Sequence, residues 1–248
     1  MIDFLTSIDT DIFLMLNGLH CPFLDHFMRL FSERFIWIPM YAALLALIIR
    51  HFGLRRGLII LCCTALAITL ADQLCATFIR PAVQRLRPAN LENPISGLVH
   101  IVNGYRGGPY GFPSCHAANT FALAVFMCSL LRTRAFTIAM AAWVLITCYS
   151  RIYLGVHYPG DLITGAIIGS AIGYGCYMLA SMLATRHPAA LWTSSIQGPS
   201  ITVVRPVLGV PQPILRLTAY TLRQADICTS VGAITVLAII IASVAGTV

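Results

Sequence analysis

Apolar residues in this chain fall into six long blocks separated by shorter polar segments. The blocks run at about Leu30–Ile49, Gly57–Ile79, Ser114–Leu131, Ala135–Ser150, Asp161–Ala184 and Thr229–Val248. Each approaches the roughly 20 apolar residues that a helix needs to cross a bilayer. The first and fourth are short and cross only with extension or local thinning. The pattern predicts an all-α fold, a polytopic membrane bundle of about six transmembrane helices. Residues 3–17 read differently. Phe4, Leu5, Ile8, Ile12, Phe13 and Leu16 recur near helical spacing with Asp3, Asp9 and Asp11 between them. That predicts an amphipathic helix lying in the membrane interface.

Composition supports a membrane protein. Of 248 residues, 58% are hydrophobic and 10% charged, against about 25% charged in soluble domains. The net charge of +7 does not signal nucleic acid as a partner, because the basic residues sit between apolar blocks rather than along one face. All 16 cationic residues are arginine. The nine cysteines form no metal-type pairs and lie mostly inside apolar blocks, where cysteine serves as a small packing residue; a disulfide framework is not expected. No Arg or Lys precedes Arg29, so the start is not read as a cleavable signal peptide.

The arginines also predict an orientation. Arg50, Arg55 and Arg56, then Arg132 and Arg134, then Arg186, Arg205, Arg216 and Arg223 occupy alternate connections. By the positive-inside rule those connections are cytoplasmic. The termini and the segments 80–113 and 151–160 then face outward, although Arg80, Arg85, Arg87, Arg106 and Arg151 sit there against the rule. The chain divides into an N-terminal interfacial region 1–29, a transmembrane core 30–185, a cytoplasmic linker 186–227 interrupted by prolines, and a last span 228–248.

Three segments carry chemistry. Arg80-Pro81 and Arg87-Pro88 lie where the second span must stop. Guanidinium groups there can fork onto phosphate oxygens, although such residues alone also read as a snorkelling belt. Phe112-Pro113-Ser114-Cys115-His116 opens the third span. Ser114 is an N-cap, the N–H groups after it attract an anion, and His116 can protonate a departing oxygen; the plain alternative is a capping serine beside an interfacial histidine. In the third segment, Ser150-Arg151 is followed by His157 and Asp161. The two are four apart across Pro159, so the carboxylate can hold one imidazole nitrogen and leave the other free to attack. Otherwise Asp161 merely complements a helix start. The topology places all three segments on one membrane face, which unrelated interfacial residues have no reason to share.

Together the segments resemble the three signature motifs of the type 2 phosphatidic acid phosphatase (PAP2) superfamily. The resemblance covers about residues 30–185. Its pattern is lysine, six residues, Arg-Pro; then Pro-Ser-Gly-His; then Ser-Arg, five residues, His, three residues, Asp. Two positions depart: Arg80 replaces the lysine and Cys115 the glycine. If the backbone at Cys115 needed a glycine-only conformation, activity would suffer; if only its N–H matters, the change is tolerated.

The resemblance implies a phosphatase without metal or other cofactor. His157 attacks phosphorus, Asp161 orients its ring, and His116 protonates the leaving oxygen. Arg80, Arg87, Arg151, Ser114 and Cys115 hold the phosphate. The implied partner is a lipid phosphate within membrane lipids, with no nucleic acid and the oligomeric state left open. Undecaprenyl diphosphate leads the substrates, with phosphatidylglycerol phosphate, phosphatidic acid and lipid A phosphate beside it. The location is a bacterial plasma membrane with the site facing outward. A lipid-to-lipid phosphotransferase using the same site, or an anionic-lipid binding or transport protein, are the competing readings.

Overall fold

The structure is a computed structural model that describes residues 2–185 and 219–247. It is built almost entirely of helices. α1 (Ile2–Asn17) and α2 (Pro22–Ser32) precede a 3-10 turn, Arg34–Trp37. Then follow α3 (Ile38–Gln73), a π-helical turn Leu74–Ile79, and the short α4 (Arg80–Val83). After a long loop come α5 (Cys115–Leu131), α6 (Arg134–Tyr153), α7 (Pro159–Thr185) and α8 (Ala219–Ala245).

Local sequence explains most boundaries. Pro22 and Pro39 sit in the first turns of α2 and α3, and Pro159 begins α7; proline there lacks only an N–H that would have no partner. Ser114 and Thr133 cap α5 and α6, their hydroxyls accepting from Ala117 N and Phe136 N.

α3 is two legs rather than one rod. Gly53 has φ 71° and ψ 169°, outside helical space. A Cβ placed on Gly57 would lie 3.4 Å from Ile49 Cα, whereas eight residues of continuous helix separate by about 12 Å. The chain therefore reverses at Gly53, and the first two apolar blocks pack as a hairpin with Arg50, Arg55 and Arg56 at its bend.

The N-terminal region differs from expectation in one respect. Leu30 closes α2 instead of opening a span, and the first leg starts at Ile38. Glu33, with extended backbone, ends α2, and Trp37 Nε1 donates to Phe31 O at 2.9 Å to fix the joint. The predicted helix over 3–17 is present as α1. The last helix begins at Ala219, ten residues before Thr229; the rest of the predicted linker, 186–218, lies outside the described residues.

Helices Arg134–Tyr153, Pro159–Ala184 and Asp226–Ala245, and the folded hairpin within Arg34–Val83, are long and apolar enough to cross a membrane; Cys115–Leu131 is apolar but shorter. Their outer faces carry exposed Phe78, Ile138, Leu145, Ile163, Ile167 and Ile234, surface suited to lipid rather than water. α5 runs through the middle, with Ala117, Ala118, Ala122 and Phe126 fully buried. The chain is a helical membrane protein.

Candidate active site

The ends of α3–α4 and α6 and the starts of α5 and α7 meet at one end of the bundle. Between α4 and α5 the loop is pinned rather than loose. Leu86 and Tyr110 form an isolated antiparallel bridge. Arg87 N donates to Pro109 O at 3.0 Å and Gly111 N to Arg85 O at 2.9 Å. In this extended stretch Arg85 and Arg87 are two apart and share a side. Gly111 allows close approach: a Cβ there would lie 3.0 Å from Asp161 Oδ2.

His157 occupies the tight connection between α6 and α7 and is almost fully buried. Its Nδ1 lies 3.4 Å from Asp161 Oδ2, a long hydrogen bond. Its Nε2 lies 3.3 Å from Arg87 Nη1. Arginine only donates, so Nε2 presents its lone pair and the ring proton sits on Nδ1, toward Asp161. Burial first, then Arg87, Arg151 and Arg80, holds the His157 imidazole well below its ordinary range, so it is neutral at pH 7.

Asp161 is held from three sides. Tyr158 N donates to Oδ2 at 3.0 Å, and Arg85 Nη1 donates to Oδ1 at 3.0 Å. Arg85 Nη2 also pairs with Asp9 of α1 at 2.7 Å, and the guanidinium stacks 3.9 Å over Tyr158. Asp9 in turn accepts from Gly160 N at 2.7 Å. A chain of contacts thus runs from α1 through Arg85 and Asp161 to His157.

Arg87 is anchored by donating to Tyr110 O and Val156 O, both at 3.1 Å. Burial, with Arg80 and Arg151 nearby, lowers its pKa to about 10, which leaves it charged at neutral pH. Arg151 is buried; its Nη1 donates to Ser32 Oγ, and its Nε is buried without a partner. Arg80 Nη2 donates to Pro113 O at 3.0 Å and to Cys115 Sγ at 2.9 Å, while its Nε is likewise unpartnered. Buried donors without partners are uncommon in folded proteins, and an anion's oxygens can satisfy them.

Ser114 is buried; its Oγ accepts from Ala117 N at 3.4 Å, and its N–H donates to the Asp161 carbonyl at 3.0 Å. Cys115 opens α5 with helical backbone and is absent from the residues of positive φ, so a glycine-only conformation is not required. The two departures from the family pattern touch each other, since the Arg80 guanidinium binds the Cys115 thiol.

A cavity of about 670 Å³ opens among these groups. Arg80, Arg87, Arg151, Cys115, His116 and His157 line its polar end, and Leu44, Ile48, Leu61, Ile68, Leu123 and Met127 its apolar depth. Of the eight residues expected from sequence, six face this space; Ser114 and Asp161 stand behind the wall. Sequence reading missed Arg85, Asp9 and Asn119. Arg85 had a signal, being one of the arginines in a segment that the positive-inside rule would leave poor in positive charge. Asp9 had none beyond its place on an amphipathic helix.

The family model for the PAP2 superfamily matches residues 57–184. The lipid A 4'-phosphatase of Bacteroides thetaiotaomicron is 51% identical over 186 residues, 75% of this chain and 83% of that protein. That of Porphyromonas gingivalis is 32% identical, over 79% of this chain and 89% of its own. The undecaprenyl-diphosphatase of Sulfolobus acidocaldarius is 27% identical, over 64% of this chain and 68% of its own. Among solved structures, a PAP2 type phosphatidylglycerolphosphate phosphatase from Bacillus subtilis shares the fold. Its TM-score is 0.52 at 20% identity, over 75% of this chain and 88% of that one. The chain belongs to the PAP2 superfamily and is a lipid phosphatase of that family.

Proposed function

We propose that this PAP2 phosphatase removes a phosphate monoester from lipid A by way of a phosphohistidine, at the outward face of a bacterial inner membrane. The observation that carries the mechanism is the convergence of His157, His116 and three arginines on the polar end of one cavity, with apolar depth behind it.

In this reading the phosphate rests against Arg80, Arg87, Arg151 and the free N–H groups that open α5. His157 Nε2 attacks phosphorus while the bond to the lipid oxygen breaks. His116 delivers a proton to that oxygen, and the imidazolium formed on His157 is balanced by Asp161. A water then attacks the phosphohistidine; His116 takes its proton, inorganic phosphate leaves, and His157 is free again. The arginines stabilise the charge that spreads over the equatorial oxygens. No step calls for a metal. Ser114 acts indirectly, fixing the start of α5.

The relatives bear on the substrate. The higher identities belong to lipid A 4'-phosphatases and the lower one to an undecaprenyl-diphosphatase, which reverses the order suggested by sequence motifs. Lipid A with its 4'-phosphate becomes the leading candidate. The six-span topology, the interfacial seat of α1 and the outward-facing site remain part of this proposal, supported by the alternating arginines.

The test is phosphate release by purified protein in detergent from lipid A, phosphatidylglycerol phosphate, phosphatidic acid and undecaprenyl diphosphate, with EDTA present. His157→Ala abolishes release from every lipid. Release that persists in that variant would overturn the nucleophile, and a rate lost to EDTA and restored by metal would overturn the metal-free step.

A further inference from the structure

Just beneath the arginine cradle the cavity wall changes character. Asp72 lies on the second leg of α3, eight residues before Arg80 and deeper along the helix, next to the Cys115 sulfur that the Arg80 guanidinium binds. Asn119 lies one turn into α5 beyond Cys115. Both line the cavity, and Asn119 Nδ2 donates to Asp72 Oδ1 at 2.9 Å. A carboxylate inside helices of this apolarity is costly and marks function by default, yet the phosphoryl chemistry above does not use it.

Its partners are few. A carboxylate only accepts, so Asn119 must turn its N–H₂ toward Asp72, which leaves Asn119 Oδ1 buried without a partner. The nearby hydroxyls are spent on their own helices. Thr120 donates to His116 O, Thr64 to Ile60 O and Thr147 to Trp143 O. Arg80 Nη2 is spent on Pro113 O and Cys115 Sγ, and that sulfur lies 4.0 Å from the Asp72 carbonyl. Among the described residues, only Asn119 hydrogen-bonds the Asp72 carboxylate. At this point the wall presents acceptors, the Asp72 carboxylate and Asn119 Oδ1, while the unpartnered donors Trp143 Nε1 and Arg80 Nε lie elsewhere along the same cavity.

We infer that Asp72 and Asn119 form a subsite that reads a hydrogen-bond donor, a hydroxyl or an amide N–H, carried by the lipid close to its phosphate. The inference rests on the cavity being a lipid-phosphate site. An N-acylated sugar phosphate brings such donors to this depth. An isoprenoid diphosphate brings hydrocarbon, and a diacylglycerol phosphate brings ester carbonyls. Either one would cover the carboxylate without satisfying it, which is unfavourable. The subsite thus selects amino-sugar lipids at a point separate from the reacting atoms.

The test measures kcat/KM of the full-length protein for three lipids. They are a phosphorylated N-acylglucosamine lipid, the same lipid with hydroxyls and amide nitrogen methylated, and phosphatidic acid. Wild type prefers the first over its methylated form by about ten- to a hundred-fold, the worth of one or two hydrogen bonds to a charged group. Asp72→Leu and Asn119→Leu each shrink that preference toward one by lowering the rate on the unmethylated lipid most. Absence of preference in wild type, or a preference intact in both variants, overturns the subsite. So do equal losses on all three lipids. The wild-type comparison needs no variant to fold. Absence of His157-dependent release from any lipid instead overturns the underlying phosphatase reading.

Discussion

The two sides of α5 are built in opposite ways. Against α7 the helices are zipped together. A Cβ on Gly165, Gly169 or Gly173 would lie 2.5, 2.1 or 2.4 Å from the carbonyl oxygens of Ser114, Ala118 and Ala122. Spaced by four, these glycines let two backbones touch, the packing that small residues give between membrane helices. Against α3 the same helix leaves a cavity of about 670 Å³. The closed side holds the starts of α5 and α7, and hence Ser114, His116 and Asp161, in fixed relation. The open side gives a ligand room. Rigidity and vacancy are thus separated across a single helix, and each can be attacked without touching the other.

The largest effect should come from breaking the seam. Gly169→Leu drives a side chain into the Ala118 backbone, which cannot swing away as a side chain could. We expect about 3 kcal/mol or more of destabilisation, read as a lower melting temperature in detergent together with lost activity. A wild-type melting temperature would show that the seam is looser than described. Next is the tether on Asp161. Arg85→Met leaves two carboxylates without their cation and should lower kcat about ten- to a hundred-fold, with KM changed less.

A smaller effect is expected on the open side. Ile68→Phe narrows the cavity and should reduce kcat/KM for long-chain lipids several-fold, while stability moves by less than about 1 kcal/mol. A drop in melting temperature as large as that of the seam variant would erase the distinction. The smallest concerns pH. With the His157 value depressed in the folded protein, kcat/KM should hold as pH falls through about 6.5 and decline only below it. The same depression means that the unfolded chain binds the extra proton first. The stability His157 contributes is therefore present above about pH 6.5 and drains as pH drops toward the folded value. An acid limb at or above 6.5 would contradict a buried, arginine-flanked imidazole.

Much of this was legible in the sequence, for physical reasons. Helical spans are long apolar blocks, so α5, α6 and α7 appear where the blocks do, and the hairpin legs of α3 match the first two blocks apart from their start. The cradle residues were legible from local signals: Arg80 and Arg87 each precede a proline, Cys115 and His116 follow the Ser114 cap, and Arg151 lies in the last turn of α6. The misses are tertiary. Asp9 and Arg85 meet across 76 residues, and no local preference forecasts that pairing. Sequence alone left open whether Cys115 needs a glycine-only backbone, and its helical conformation answers that. The seam did leave a trace, glycine at every fourth position, but spacing alone does not say which helix fills it.

The contact between Asp9 and Arg85 has a practical corollary. The family segment, residues 57–184, contains every motif residue yet leaves out α1, so it is not a self-sufficient cassette. A chimaera that transplants only that segment would carry the reactive pair but leave Arg85 half anchored, free to swing away from Asp161. An N-terminal tag or truncation that shifts α1 would act in the same way, as a brake at a distance. Whoever re-engineers this scaffold must move the first helix with the rest, as the keystone that an arch borrows from outside its own span.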